Sequence, residues 1–289
     1  MSQSAKPLVS ICCITFNHEK YIHDAIEGFL IQKTNFPFEI IIHDDASTDN
    51  TAQIIKEYER KHPDLFVAIY QTENQYSQGI KPWPNFVFPR ARGKYIALCE
   101  GDDYWTDPLK LQKQVEFLEE NPDCSLCFHA SKDIQENNQK IYKIRKPEQI
   151  PKSNKFGIQH VILKGGGFMA TNSMVFLREY CQNQPDWMYH APVGDGPLML
   201  LLASKGKIGY IDEVMSVYRK MAEGSWSASM KDRNKRKAHI KAVLKMYDEF
   251  DHWTNFKFHN YVVRKKLKSR WSLLKGSLLY NIKKVTNKR

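Results

Sequence analysis

Lys94-Tyr95-Ile96-Ala97-Leu98-Cys99-Glu100-Gly101-Asp102-Asp103-Tyr104-Trp105 reads as a buried strand that ends abruptly in acid. The run Lys94–Cys99 is short, apolar and nearly unbroken, the pattern of a strand covered on both faces. Thr106-Asp107-Pro108 follows and opens a helix, with Pro near the first helical position. Asp102 and Asp103 therefore fall at the carboxyl end of a strand, the edge where open α/β sheets bind ligands. Adjacent carboxylates repel each other, so the pair calls for solvent or a cation. Taken alone it fits either an exposed acidic turn or a divalent-metal site that recruits a phosphate-bearing substrate.

The sequence before this stretch repeats its logic. Leu8–Ile14 is an apolar run closed by Thr15-Phe16-Asn17, and Ile22, Ala25, Ile26, Phe29 and Leu30 recur at helical spacing. Phe38–His43 is a second run, ending in Asp44-Asp45-Ala46-Ser47-Thr48-Asp49, residues that also suit a helix cap. Leu65–Tyr70 makes a third strand before a Pro-rich loop leads to Lys94. Strands alternating with helices imply a mostly parallel sheet with helices on both faces. In such a sheet Thr15/Asn17, Asp44/Asp45 and Asp102/Asp103 share one edge, and three polar strand ends there mark a crevice.

Beyond a helix over 107–121 comes a strand, 125–131, then a polar excursion over 132–160. Gly165-Gly166-Gly167 precedes the apolar segment Phe168–Leu177, which Thr171-Asn172-Ser173 interrupts. Gly194-Asp195-Gly196-Pro197 opens an apolar helix, where an acid is stabilised by the helix dipole whether or not it has another role. A strand pair around Ile208–Val217 is expected next, ending in Tyr218-Arg219-Lys220.

The 289 residues allow one large domain and an appendage. The net charge of +11 is uneven: residues 231–289 hold 18 Lys/Arg against 4 Asp/Glu, and the rest of the chain is slightly acidic. No run reaches the roughly 18 apolar residues of a membrane span, and the first residues carry no apolar signal core. A cytoplasmic protein is expected. The six cysteines read as free thiols, because Cys124-x-x-Cys127 has no second pair at zinc spacing.

Val9-Ser10-Ile11 with Thr15-Phe16-Asn17, then Glu39 through Asp49, then Arg92 through Ala97 with Gly101-Asp102-Asp103, resemble in order the family-two inverting glycosyltransferases of the GT-A fold. The resemblance is tight over about residues 7–130 and loose to about 226. It implies a catalytic domain over 1–230, with a nucleotide-sugar half over 7–130 and an acceptor half over 131–230. It also implies that Asp45 accepts a hydrogen bond from the donor's base, usually uracil, and that Thr15 and Asn17 line the same crevice. Asp103 would ligate Mg2+ or Mn2+ and Asp102 would sit near the ribose. A single carboxylate, matched by Asp195, would deprotonate the acceptor hydroxyl, although Gly194 stands where the family has Glu. Arg219 matches a late basic position near the phosphates, or else follows an edge strand as a surface arginine. Lys81 would supply charge where the family has an Arg/Asn region, and Ile14 replaces a usual Pro. The form Glu100–Trp105 is similar to that of members building bacterial surface polysaccharides.

Residues 231–289 form a basic helical extension. Trp271, Leu274, Leu278, Ile282 and Val285 recur at steps of three and four beside lysines. Such a helix suits an anionic membrane surface, which lipid-linked acceptors would favour, or packs on the catalytic domain with its basic face in water. No nucleic-acid module is present, and no nucleic-acid partner is expected. The leading expectation is a metal-dependent transferase moving sugar from a nucleotide-sugar donor to a glycan or lipid-linked saccharide, peripheral on the inner membrane face. A sugar-nucleotide nucleotidyltransferase or a non-catalytic nucleotide-sugar binder are the alternatives; the former would need a Gly-rich phosphate loop where Thr15-Phe16-Asn17-His18-Glu19 stands.

Overall fold

A computed structural model describes residues 6–135, 140–220, 230 and 232–271. The first four strands are β1 (Val9–Thr15), β2 (Phe38–Asp44), β3 (Phe66–Tyr70) and β4 (Tyr95–Glu100). They lie in the order β3-β2-β1-β4, all parallel. Alternation along each strand explains the continuous apolar runs. Val9, Ile11 and Cys13 pack with Ile22, Ile26 and Phe29 of α1 (Ile22–Leu30), whereas Cys12 and Ile41 enter the core on the other face. The first core also takes Ile55 of α2 (Thr51–Lys61) and Leu111, Val115 and Leu118 of α3 (Lys110–Glu120).

Register carries the polar strand ends to one edge: Thr15 pairs with Asp44, and Ile14 with Glu100. The opposite edge holds a buried network. The Ser10 hydroxyl donates to Glu39 at 2.6 Å, and the Gly93 N–H donates to Ser10 at 2.9 Å. Arg92 donates to Glu39 from Nε at 2.7 Å and from its backbone at 2.8 Å. A Cβ on Gly93 would come within 2.6 Å of the Ser10 nitrogen, so only glycine fits that approach. Ser10, Glu39, Arg92 and Gly93 thus stitch strand starts together, far from the acidic edge.

The sheet continues from β4 through β9 (Val175–Leu177), β6 (Cys124–Gln135) and β10 (Lys207–Lys220) to β5 (Tyr104–Trp105). It is parallel across the first four strands and mixed beyond them. β9 runs antiparallel to both β4 and β6, and β10 runs parallel to β6. Two expectations need correcting. The strand pair around Ile208–Val217 is one strand that continues to Lys220, kept in register by bulges between Ile211 and Ser216. The excursion over 132–160 contains β7 (Ile141–Arg145) and β8 (Lys155–Phe156). Among the described residues β7 pairs only with β6 at the margin of the sheet, and it leaves Ile141, Tyr142 and Ile144 exposed, so it shows no core-facing alternation.

Helices α4 (Ile158–Lys164), α5 (Asp186–Tyr189) and α6 (Asp195–Lys205) complete the second half. A helix over Arg233–Trp253 and helical residues 259–271 follow; Met246, Tyr247, Phe250 and Val262 join the same apolar cluster as Leu198–Leu202. That part of the basic extension packs on the domain. Leu274, Leu278, Ile282 and Val285 lie outside the described residues. All six cysteines are free and buried.

Candidate active site

The acidic turn after β4 is fixed from below and from behind. A Cβ on Gly101 would lie 2.7 Å from Thr15 Oγ1 and 3.0 Å from His18 Nδ1, so the turn sits directly on the end of β1. Thr15 is buried, and its hydroxyl has no partner among the described residues; the same holds for His18 Nδ1. Burial keeps the His18 pKa below its ordinary value, with Asp102 and Asp49 pulling the other way.

Glu100, Asp102 and Asp103 each offer a carboxylate oxygen, and these oxygens lie within 4.8 Å of one another. Asp103 is buried and held by groups distant in sequence. Its Oδ2 accepts from the Asn172 side-chain amide at 2.9 Å, and its Oδ1 accepts from the Arg219 backbone N–H at 2.8 Å. Asn172 itself receives the Ser216 hydroxyl at 2.8 Å, and its carbonyl receives the Trp105 indole N–H at 2.8 Å. Burial, then repulsion from Asp102 and Glu100, raises the Asp103 pKa well above the usual carboxylate range. Glu100 is pushed up to about 8 by burial, helped by Asp102 and Asp195 and opposed by Arg145. Three mutually repelling oxygen ligands with spare lone pairs suit a hard divalent cation such as Mg2+ or Mn2+.

The other expected residues are placed as follows. Asp45 is buried, and its carboxylate accepts the backbone N–H groups of Gln75 at 2.9 Å and Tyr76 at 3.0 Å, which ties the 74–78 loop to the end of β2. Asn17 has a left-handed φ of 54° and directs its side-chain oxygen to the Thr48 N–H at 2.8 Å. It locks the β1 loop to the β2 loop and is itself exposed. Asp195 begins α6, accepts from the Gly196 N–H at 2.7 Å, and would meet a Cβ on Gly166 at 3.3 Å. Burial raises its pKa, with the Gly196 N–H, Arg145 and His239 opposing.

Two basic residues are engaged otherwise than expected. Lys81 directs its ammonium at the carbonyls of Met188 and Ala191, both at 2.6 Å, and of Val193 at 3.2 Å. It holds the turn leading into Asp195 and has no ammonium hydrogen left for a phosphate. Arg219 is neither a surface arginine nor free to swing. It lies 4.5 Å from the Tyr104 ring centroid and 5.2 Å from that of Tyr21, bonds the Asp102 carbonyl at 2.8 Å, and pairs with Asp24. It braces the acidic turn.

Glu100, Asn172 and Arg145 were not singled out as site residues from sequence. Glu100 has a signal, being a third carboxylate three residues from Asp103. The polar break Thr171-Asn172-Ser173 in an apolar segment was a signal for Asn172. Arg145 had none, since β7 shows no pattern.

Residues 10–183 match the glycosyl transferase family 2 model. The protein Rv1520 of Mycobacterium tuberculosis is 40% identical over 236 residues, 78% of this chain and 63% of that protein; the chain thus spans under two thirds of that relative's length. A stretch of 112 residues, 39% of this chain and 41% of that protein, is 36% identical to Escherichia coli WfaP, a UDP-Glc:alpha-D-GlcNAc-diphosphoundecaprenol beta-1,3-glucosyltransferase. Among solved structures, S. aureus TarS 1-349 with UDP-GlcNAc aligns with a TM-score of 0.61 at 19% identity, over 83% of this chain and 66% of that one. The Pyrobaculum calidifontis mannosyltransferase PcManGT, solved with GDP-Man and Mn2+, aligns with a TM-score of 0.55 at 13% identity, over 95% of this chain and 76% of that one. With its GT-A-like fold and its acidic strand-end cluster, this chain belongs to glycosyl transferase family 2.

Proposed function

We propose that this chain moves a sugar, with inversion, from a UDP-sugar to a hydroxyl of a lipid-linked or surface glycan. The observation that carries the reading is the Glu100, Asp102 and Asp103 trio with ligand atoms within 4.8 Å, close enough to Asp195 for the two sites to repel. Asp103 and Glu100 would hold Mg2+ or Mn2+, and Asp102 would face the ribose. When bound, the cation neutralises charge on the diphosphate leaving group. Asp45 and Thr15 line the base and ribose crevice, and the orphaned Thr15 hydroxyl is available to a donor atom there. Asp195 takes the proton from the acceptor hydroxyl; that oxygen attacks the anomeric carbon as the bond to the diphosphate breaks on the opposite face. A base so placed contributes roughly 10²–10⁴-fold. WfaP's UDP-Glc donor and diphosphoundecaprenol-linked acceptor support the substrate classes.

A peripheral position on the inner membrane face accompanies this reading. No helix among the described residues is long and apolar enough to cross a membrane. Val263, Leu267 and Trp271 are nonetheless exposed at helical spacing near Arg264 and Lys268, a surface suited to anionic lipid.

The test is a pair of variants assayed for binding and for transfer. Asp103→Asn should lose Mn2+-dependent UDP binding, whereas Asp195→Asn should keep that binding and lose transfer. Normal transfer by Asp195→Asn would remove it as the base, and unaltered Mn2+ dependence in Asp103→Asn would remove the metal assignment.

A further inference from the structure

One buried carboxylate on the far side of the site carries more positive charge than it needs. Asp133 of β6 has a fully buried side chain and receives Arg145 in a two-point pairing, Nε at 3.1 Å and Nη2 at 3.0 Å. That pairing already compensates the charge. Lys220 nevertheless stands 3.6 Å and Lys143 3.9 Å from the same carboxylate. Among the described residues Asp133 is the only carboxylate within ion-pair distance of either lysine. Within ion-pair distance three cations thus face one anion, and this local excess of positive charge favours an additional anion.

The location identifies whose anion it is. The Arg145 guanidinium lies 4.6 Å from the Tyr218 ring centroid, and Tyr218 directly precedes Arg219, whose N–H holds Asp103. Arg145 is also near enough to Glu100 and Asp195 to oppose the rise in both their pKa values. The donor crevice is built from the ends of β1, β2 and β4, whereas this cluster rests on β6, β7 and β10, beyond β9 in the sheet. Through Arg145 it is in electrostatic reach of Asp195, which ties it to the proposed base rather than to the donor crevice. Lys220 lies 4.4 Å from the Tyr142 ring centroid, and Ile141, Tyr142 and Ile144 leave an exposed apolar strip alongside. The lysine side chains are 47% exposed for Lys143 and 29% for Lys220, so solute can reach both.

We infer that Lys143 and Lys220, held in place by Asp133 and Arg145, form a subsite for a phosphate group carried by the acceptor. The inference rests on the transferase reading above and adds the acceptor's chemical class: a sugar phosphate or diphosphate ester with apolar substance beyond the phosphate. No covalent step is involved; the subsite orients the acceptor so that its hydroxyl meets Asp195.

The experiment titrates phenyl phosphate into the full chain with saturating UDP and Mg2+, and again without them. The wild type should bind phenyl phosphate in both conditions. Lys143→Gln combined with Lys220→Gln should weaken that binding about tenfold or more and leave UDP affinity unchanged. Failure of the wild type to bind phenyl phosphate, or equal binding by the double variant, overturns the subsite. A parallel loss of UDP affinity in the double variant also overturns it, because the lysines would then serve the donor. If UDP fails to bind the wild type, the donor reading falls, and the titration without UDP still decides the subsite.

Discussion

The ammonium of Lys110 lies 3.9 Å from the ring centroid of Trp105, fully buried and with no hydrogen-bond partner among the described residues. Burial pulls its pKa from 10.5 down to about 7. The folded state therefore releases this proton near pH 7, while the unfolded chain keeps it to 10.5. Between those values the unfolded chain binds more protons, so stability rises with pH. Lys110→Met should raise stability at pH 7 by on the order of 2 kcal/mol, since one pKa unit is worth about 1.4 kcal/mol and some cation–π attraction is lost with it. The gain should shrink toward pH 10. Thermal melts at pH 6, 7, 8.5 and 10 check it, and a pH-independent difference would contradict the burial account.

Gly101→Ala places a methyl 2.7 Å from Thr15 Oγ1 and 2.8 Å from Thr15 Cβ. The turn must move, and overpacking of this sort costs about 1–3 kcal/mol. Mn2+ affinity measured by calorimetry should fall with the melting temperature. Wild-type affinity would show that the turn tolerates displacement.

Arg219→Lys keeps the charge but loses the fork that bonds the Asp102 carbonyl and Asp24 while lying against two tyrosines. Its hydrogen bonds to charged groups are worth about 1.5–3 kcal/mol each before compensation. The variant should melt earlier and bind Mn2+ more weakly. A selective rise in KM for the donor at unchanged stability would instead mean that the side chain reaches the phosphates.

Lys81→Met removes the ammonium from the Met188, Ala191 and Val193 carbonyls just before Asp195. UDP affinity should hold, while kcat falls roughly 10- to 100-fold through a displaced base. Weakened UDP binding with intact kcat would assign Lys81 to the donor.

The proposed base, Asp195, would have to be ionised, and burial raises its pKa. Activity should therefore decline on acidification at a pH above the ordinary aspartate value of 3.8. The acid limb of a kcat profile measures this, and a limb at or below that value would deny Asp195 the role.

The first half of the sheet was legible because parallel strands covered on both faces leave continuous apolar runs, and each run here ends in polar residues. The placement of Asp102, Asp103 and Asp195 at the ends of recognisable elements was legible for the same reason. What escaped depends on contacts between distant segments. No local pattern announces that the Lys81 ammonium will meet carbonyls more than 100 residues later. Arg219 was read as following a strand that ends at Val217, whereas β10 runs on to Lys220 between β6 and β5 and buries it. Arg145 was hidden because a marginal strand with both faces partly in water need not alternate.

The two donors that hold Asp103 come from residues 172 and 219, so the acidic turn acquires its final shape only after β10 has joined the sheet. A chain made from its N-terminus has residues 7–130 well before it has either of these hydrogen-bond donors. Until then the Asp103 carboxylate lacks both of the donors that hold it in the folded chain. On the function proposed above, competence for sugar transfer would therefore wait for the closing of the far side of the sheet.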